Sequence, residues 1–216
     1  MRMVKPEHEG AHLDGTSRRT GTARRDFLRS GAGTLAAASG LTRPLGGLLS
    51  GAAAQEGAPV DITTATFTAG IELASATSYE LAAGRGLLDP VNGGLAATFL
   101  SHHRDHAATL NALLQAEGEP PVTQPDATFL GQFGAMIVAA VDVLGLLNAA
   151  YAMESAVAST YVEALGMLTV PEASLAMAQI LPVESQHALV LATALSRPLE
   201  EQLPAFESTD ASVLEP

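Results

Sequence analysis

Four polar residues recur in this chain at nearly constant spacing, in positions that a helix would bury. Glu72, Tyr79, His103 and His106 are matched by Glu154, Tyr161, Glu184 and His187. Glu precedes Tyr by seven residues in both copies, the next polar residue follows after 24 and then 23, and the final His comes three later in both. A repeat of this length, in residue types that bind metals, predicts two copies of a helical hairpin facing each other across one site. The implied chemistry is a metal held inside a four-helix bundle.

Helical periodicity places these residues. Phe99, His103, His106, Leu110 and Leu113 step by four and three and share one helix face. Met177, Ile180, Glu184, His187 and Leu191 form a second such stripe, and Leu147, Tyr151, Glu154, Ala158, Tyr161 and Leu165 a third. Carboxylates and imidazoles on apolar stripes need partners, because desolvating them unpaired costs several kcal/mol or forces them neutral. A shared cation is the simplest common partner. His102 falls instead on the stripe of Thr98, Asp105 and Thr109, which predicts a surface position facing solvent.

The N-terminus reads as an address. Arg24 and Arg25, followed by Asp26-Phe27-Leu28-Arg29, resemble the twin-arginine export signal, and residues 30–54 form an apolar, Gly- and Ala-rich run ending in Ala52-Ala53-Ala54. Arg43 and Pro44 interrupt that run and argue against a lasting membrane span. Residues 1–54 are therefore expected to be a cleaved signal peptide, with the protein delivered to the periplasm or beyond the cell. The twin-arginine resemblance implies export in the folded state, with any metal loaded beforehand. The chain has no cysteine, so neither disulfides nor thiolate ligands enter the picture.

After residue 54 only Arg85, Arg104 and Arg197 remain, against nineteen carboxylates and no lysine. Nucleic acid and anionic membrane surfaces are unsuitable partners for such a chain, whereas cations are attracted to it. Its length suits one domain with one core. Helices are predicted over about residues 61–83, 95–116, 133–168 and 171–196. The segment from Gly118-Glu119-Pro120-Pro121 to Pro125 forms a long loop between the hairpins. Thr169 is a candidate cap for the fourth helix, and Pro182 should kink that helix just before Glu184. Residues 197–216 read as an extended tail, with Leu203 and Phe206 able to dock. Residues 134–150 are apolar enough to raise a transmembrane alternative, but Asp142 and Asn148 favour a buried core helix. Whether Asp142 is interior or on a helix face stays open.

Taken together, Glu on helices one and three, an (i, i+3) pair ending in His on helices two and four, and the twin-arginine leader resemble the exported ferritin-like domain proteins of bacteria. The resemblance implies an all-α fold: a ferritin-like four-helix bundle over residues 55–196, made of two repeated hairpins joined by a long crossover loop. In di-iron and di-manganese members, one Glu from each of two helices and a Glu-x-x-His from each of the other two supply the ligands. Carried onto this chain, the metal ligands are Glu72, His103, His106, Glu154, Glu184 and His187. Tyr79 and Tyr161 support the ligand carboxylates from behind.

His103 departs from that pattern, since it stands where a bridging carboxylate is expected. Two divalent ions then meet three carboxylates rather than four, and an imidazole nitrogen cannot bridge. The donor set suits one or two iron or manganese ions, with zinc also compatible, and no organic cofactor is expected. Glu80 and Asp105 are spare carboxylates without counterparts in the repeat.

Two classes of function follow. One is a redox metalloprotein acting on Fe(II), oxygen or peroxide. The other is a non-catalytic bundle that sequesters metal or protects the cell envelope without metal, since buried His–Glu pairs also hydrogen-bond alone. Nothing in the residues decides between enzyme and non-enzyme, and self-association is left open. The exported protein should begin at or near Gln55 by intact mass, and Arg24→Lys with Arg25→Lys should keep it in the cytoplasm.

Overall fold

The computed structural model describes residues 58–214, and the expected signal peptide lies outside the described residues. Among them every regular element is helical. α1 spans Ala58–Gly84 and α2 spans Pro90–Ala116. A crossover then leads to α3 (Ala127–Phe129), a π-helical turn (Leu130–Gly134) and α4 (Ala135–Ala139). α5 (Val143–Met167), α6 (Pro171–Ala194) and the short α7 (Leu199–Gln202) complete the described chain. The most extensive packing is α1 on α2 and α5 on α6, which makes the two hairpins. Many of the buried apolar residues are alanines, Ala65, Ala69, Ala74, Ala156 and Ala164 among them. Small side chains let the helix backbones approach closely, as ridge-into-groove packing requires.

Local chemistry sets the helix ends. Asp89 caps α2 by accepting from the Val91 and Asn92 amides, with Pro90 in the first turn where its missing N–H is harmless. The helix thus starts five residues earlier than its apolar stripe suggests. At its other end, Glu119 N donates to Leu114 O and Gly118 N to Gln115 O, with Gly118 at φ 85°. That is a Schellman ending, which requires a left-handed residue. α6 ends in the same way, Arg197 N on Ala192 O and Ser196 N on Thr193 O, but here the left-handed residue is Ser196 at φ 53°.

The third predicted helix is not continuous. Ala140 leaves the helical region at ψ 133°, and Asp142, which is exposed, caps α5 by accepting from Gly145 N at 2.8 Å. The role left open for Asp142 is therefore a helix start, whose local hydrogen bond competes with helix continuation. No helix among the described residues is long and apolar enough to cross a membrane. Thr169 does not cap α6. The buried Asp61 of α1 takes the Thr169 amide at 2.9 Å, the Thr169 hydroxyl at 2.8 Å and the Val170 amide at 3.1 Å, tying the α5–α6 turn to the start of α1.

The crossover is held at two points. Asn111 exchanges hydrogen bonds with both backbone groups of Val122, and Asp126 N donates to Gly70 O at 2.9 Å. A Cβ at Gly70 would meet Asp126 Cβ at 3.4 Å, so glycine permits this close approach. In the tail, Leu203 and Phe206 do not dock: they are 60% and 89% exposed. Val213 and Leu214 pack on the core instead, and Val213 N donates to Thr160 Oγ1 at 3.1 Å.

Asp61→Ala should destabilise the fold by about 2 kcal/mol, because three donors lose a charged acceptor. Ser196→Gly should stabilise it by about 1 kcal/mol by relieving a left-handed serine. Denaturant unfolding measures both, and an unchanged midpoint for Asp61→Ala would refute the assigned tie.

Candidate metal centre

All six residues singled out in the repeat converge at the middle of the bundle. Glu72 lies on α1, His103 and His106 on α2, Glu154 on α5, and Glu184 and His187 on α6. Glu72, His103, Glu154 and Glu184 are fully buried, His187 is 2% exposed, and the His106 side chain is 12% exposed. The arrangement is nearly twofold. Tyr161 donates to Glu72 Oε1 at 2.6 Å, and its counterpart Tyr79 donates to Glu154 Oε1. His106 Nδ1 lies 3.5 Å from Glu72 Oε2, and His187 Nδ1 lies 3.4 Å from Glu154 Oε2.

Symmetry fails where His103 faces Glu184. His103 joins the two hairpins directly, with Nδ1 2.7 Å from Glu72 Oε2 and Nε2 3.1 Å from Glu154 Oε1. Glu184 stands between the other two imidazoles, 2.6 Å from His106 Nδ1 through Oε1 and 3.3 Å from His187 Nδ1 through Oε2. Short as they are, these contacts leave both oxygens of Glu184 and Nδ1 of His106 without a hydrogen-bond partner. Buried polar atoms are seldom left so, and converging lone pairs are what a cation would satisfy. Two overlapping groups could hold an ion: Glu72, His103, His106 and Glu184, and His103, Glu154, Glu184 and His187. Each has ligand atoms within 4.8 Å of one another. Three carboxylates and three imidazoles, with no arginine among them, fit a divalent ion in chemistry as well as in position.

Charge inside the cluster is strongly perturbed. Burial opposes ionisation of Glu72, but the hydrogen bond to His103 and the close approach of the His106 ring overcome it and hold its carboxyl at about 2. Burial likewise works against the Glu154 carboxylate, and the charge of His103 and its hydrogen bond hold that group well below the usual range. Glu184 moves the other way: burial, with the charge of Glu72 beside it, keeps its carboxyl raised. Burial disfavours charge on His103, yet Glu184 and Glu154 push its ring well above the ordinary value. His106, against the same penalty, is raised to about 9 by Glu184 and Glu72. Protons on the imidazoles thus do the neutralising that a metal would do.

The structure overturns the surface position expected for His102. Its ring is half-buried and its Nδ1 lies 2.9 Å from His187 Nε2. Thr98, Asp105 and Thr109 on the same stripe are exposed, but His102 reaches a residue of α6, and helix-to-helix geometry is not visible in one helix's periodicity. Phe99 was read only as part of the α2 stripe, yet it stacks on His187 with centroids 3.9 Å apart. The spare carboxylates lie outside the centre: Glu80 is exposed and pairs with Arg104, and Asp105 is exposed. Pro182 sits within a continuous α6, two residues before Glu184.

The tyrosine–glutamate pairs can be tested without metal. Tyr79→Phe and Tyr161→Phe should each destabilise the protein by about 1–2 kcal/mol, each leaving a buried carboxylate short of a donor. Because His103 touches both glutamates, the double variant should depart from additivity in thermal or denaturant unfolding. Strict additivity would show that the network does not couple the hairpins.

No curated protein and no solved structure shows a significant match to the chain. The ferritin-like domain family matches residues 32–197, beginning inside the segment read as a leader and covering all four long helices. The chain therefore belongs to the ferritin-like domain family.

Proposed function

We propose that this chain is an exported ferritin-like metalloprotein that holds iron or manganese at Glu72, His103, His106, Glu154, Glu184 and His187 and acts on Fe(II), oxygen or peroxide. The observation that carries the reading is the convergence of three buried atoms that make no hydrogen bond, Glu184 Oε1 and Oε2 and His106 Nδ1, at the point where the carboxylates and imidazoles meet. A bound redox-active ion would supply one-electron chemistry at the centre. The chain's own part is to position and to exclude. Tyr79 and Tyr161 orient Glu154 and Glu72, and the surrounding helices keep bulk water out. His106, the most exposed of the six, marks the side from which a small substrate would reach the centre.

Export rests on the twin arginines and the alanine site before Gln55, and it would place the protein in the periplasm or outside the cell. The resemblance to folded-state export also lets the metal be acquired before crossing. A second reading, a non-catalytic bundle that sequesters metal or needs none, is favoured by one specific observation. His103 alone spans Glu72 and Glu154, and with the tyrosines it satisfies much of the cluster without an ion.

Elemental analysis of protein purified after native export should find iron or manganese, and His106→Ala or His187→Ala should remove it. Fe(II) turnover in air or peroxide dismutation then separates the redox reading from sequestration. No uptake of Fe(II), Mn(II) or Zn(II) under anaerobic loading would leave the metal-free bundle standing.

Metal must displace protons from His106, raised against burial to about 9 by Glu184 and Glu72, and from His103, held well above its ordinary value, so affinity should rise with pH through neutrality. Because His103 replaces a fourth carboxylate, the natural protein should hold fewer than two tight ions per chain, and His103→Glu should move the ratio toward two. Two tight ions in the natural protein would show that His103 is a competent ligand.

A further inference from the structure

His187 is held on two sides by residues that lie outside the repeat. Phe99 covers one face of its ring, with centroids 3.9 Å apart and planes at 25°. At its edge, Nε2 meets His102 Nδ1 at 2.9 Å. The His102 and His187 rings are inclined by only 14° and their centroids are 5.2 Å apart. Two nearly coplanar imidazoles joined nitrogen to nitrogen have that separation, so the contact is an in-plane hydrogen bond and not a face-to-face stack.

We propose that His102 is a positioning residue of the centre: its hydrogen bond to Nε2 fixes the plane of the His187 ring so that Nδ1 stays turned toward Glu154 and Glu184, and when an ion replaces the Nδ1 hydrogen, His102 Nδ1 receives the hydrogen then carried on Nε2. The assignment rests on the metal-binding reading above and extends it to a residue outside the six.

The chemistry follows from the two ring nitrogens. A neutral imidazole carries one hydrogen, and the partner of one nitrogen decides the state of the other. His187 Nδ1 lies 3.4 Å from Glu154 Oε2 and 3.3 Å from Glu184 Oε2, inside the second of the two ion-holding groups. To donate a lone pair there, His187 must carry its hydrogen on Nε2, where His102 receives it. Ligating histidines commonly depend on such a partner for ring orientation and tautomer. In the repeat, His102 precedes His103 as Val183 precedes Glu184, and valine offers no acceptor. The device therefore belongs to one half of the centre: His187 is oriented in advance, whereas His106 has no equivalent partner from α6.

The test uses the full chain with His102→Ala and His102→Asn, the latter placing an amide oxygen at the same reach as Nδ1. Three quantities are read: Mn(II) and Zn(II) affinity by competition with a chelating dye, the ¹⁵N shifts of His187 in metal-free protein, and the melting temperature. His187 is assigned by comparison with His187→Gln. His102→Ala should weaken binding about tenfold to a hundredfold, in line with the usual loss on removing such a partner. It should also move the His187 Nε2 resonance as that nitrogen loses its partner, while His102→Asn recovers a large part of both.

Unchanged affinity and unchanged nitrogen shifts in His102→Ala would overturn the proposal. So would an affinity loss matched by a fall in melting temperature with no change in the nitrogen shifts. If the natural protein takes up neither ion, the metal-binding reading fails by itself. The nitrogen shifts then still decide whether His102 partners Nε2 of His187.

Discussion

Three carboxylates lie fully buried at the centre of a bundle otherwise packed with alanine, leucine and aromatic rings, and none of the three arginines beyond residue 54 reaches them. Such a concentration of negative charge is sustained only by positive charge placed among the oxygens. The imidazoles of His103 and His106, both pushed against burial above their ordinary value by the surrounding carboxylates, meet that need, and Glu184 remains the member whose ionisation is least supported. Proton and metal therefore compete for one function, and the atoms that protons leave unsatisfied are where a metal would gain most.

The repeat has a mechanical reason for its spacing. Glu72 receives the hydroxyl of Tyr161, and Glu154 receives that of Tyr79. These crossed bonds require α1 and α5 to run antiparallel, and both can form only if glutamate and tyrosine are equally far apart on each helix. Seven residues are close to two helical turns, which keeps both side chains on the same face. The same twofold relation equates His106 with His187. It breaks where His103 opposes Glu184, which turns a symmetric scaffold into a centre with one carboxylate shared by both ion-holding groups.

Much of the scaffold was readable from residue types. The two hairpins, the crossover loop and the convergence of six polar residues all follow from helical period and repeat spacing, because those signals are local or duplicated. The break at Ala140 was hidden, since Gly134 to Ala150 is uniformly apolar apart from Asp142 and Asn148, and Asp142 has the composition of a cap as much as of an interior charge. The tail misled in the same manner. Leu203 and Phe206 are among its large apolar residues before the last turn, yet Val213 and Leu214 reach the core, because docking depends on where the chain returns and not on hydrophobicity alone.

By itself the sequence determined that the chain is helical, that its hairpins are duplicated, and which six residues share apolar faces, because periodicity and spacing are properties of one chain segment at a time. Only the tertiary structure decided which partner each of those residues meets. Asp61 lies more than a hundred positions from the Thr169 and Val170 amides it secures, and His102 lies 85 positions from the ring it holds. Contacts of that kind depend on the rotation and offset of one helix against another, which are set by packing across the whole core and leave no local trace in the residues concerned.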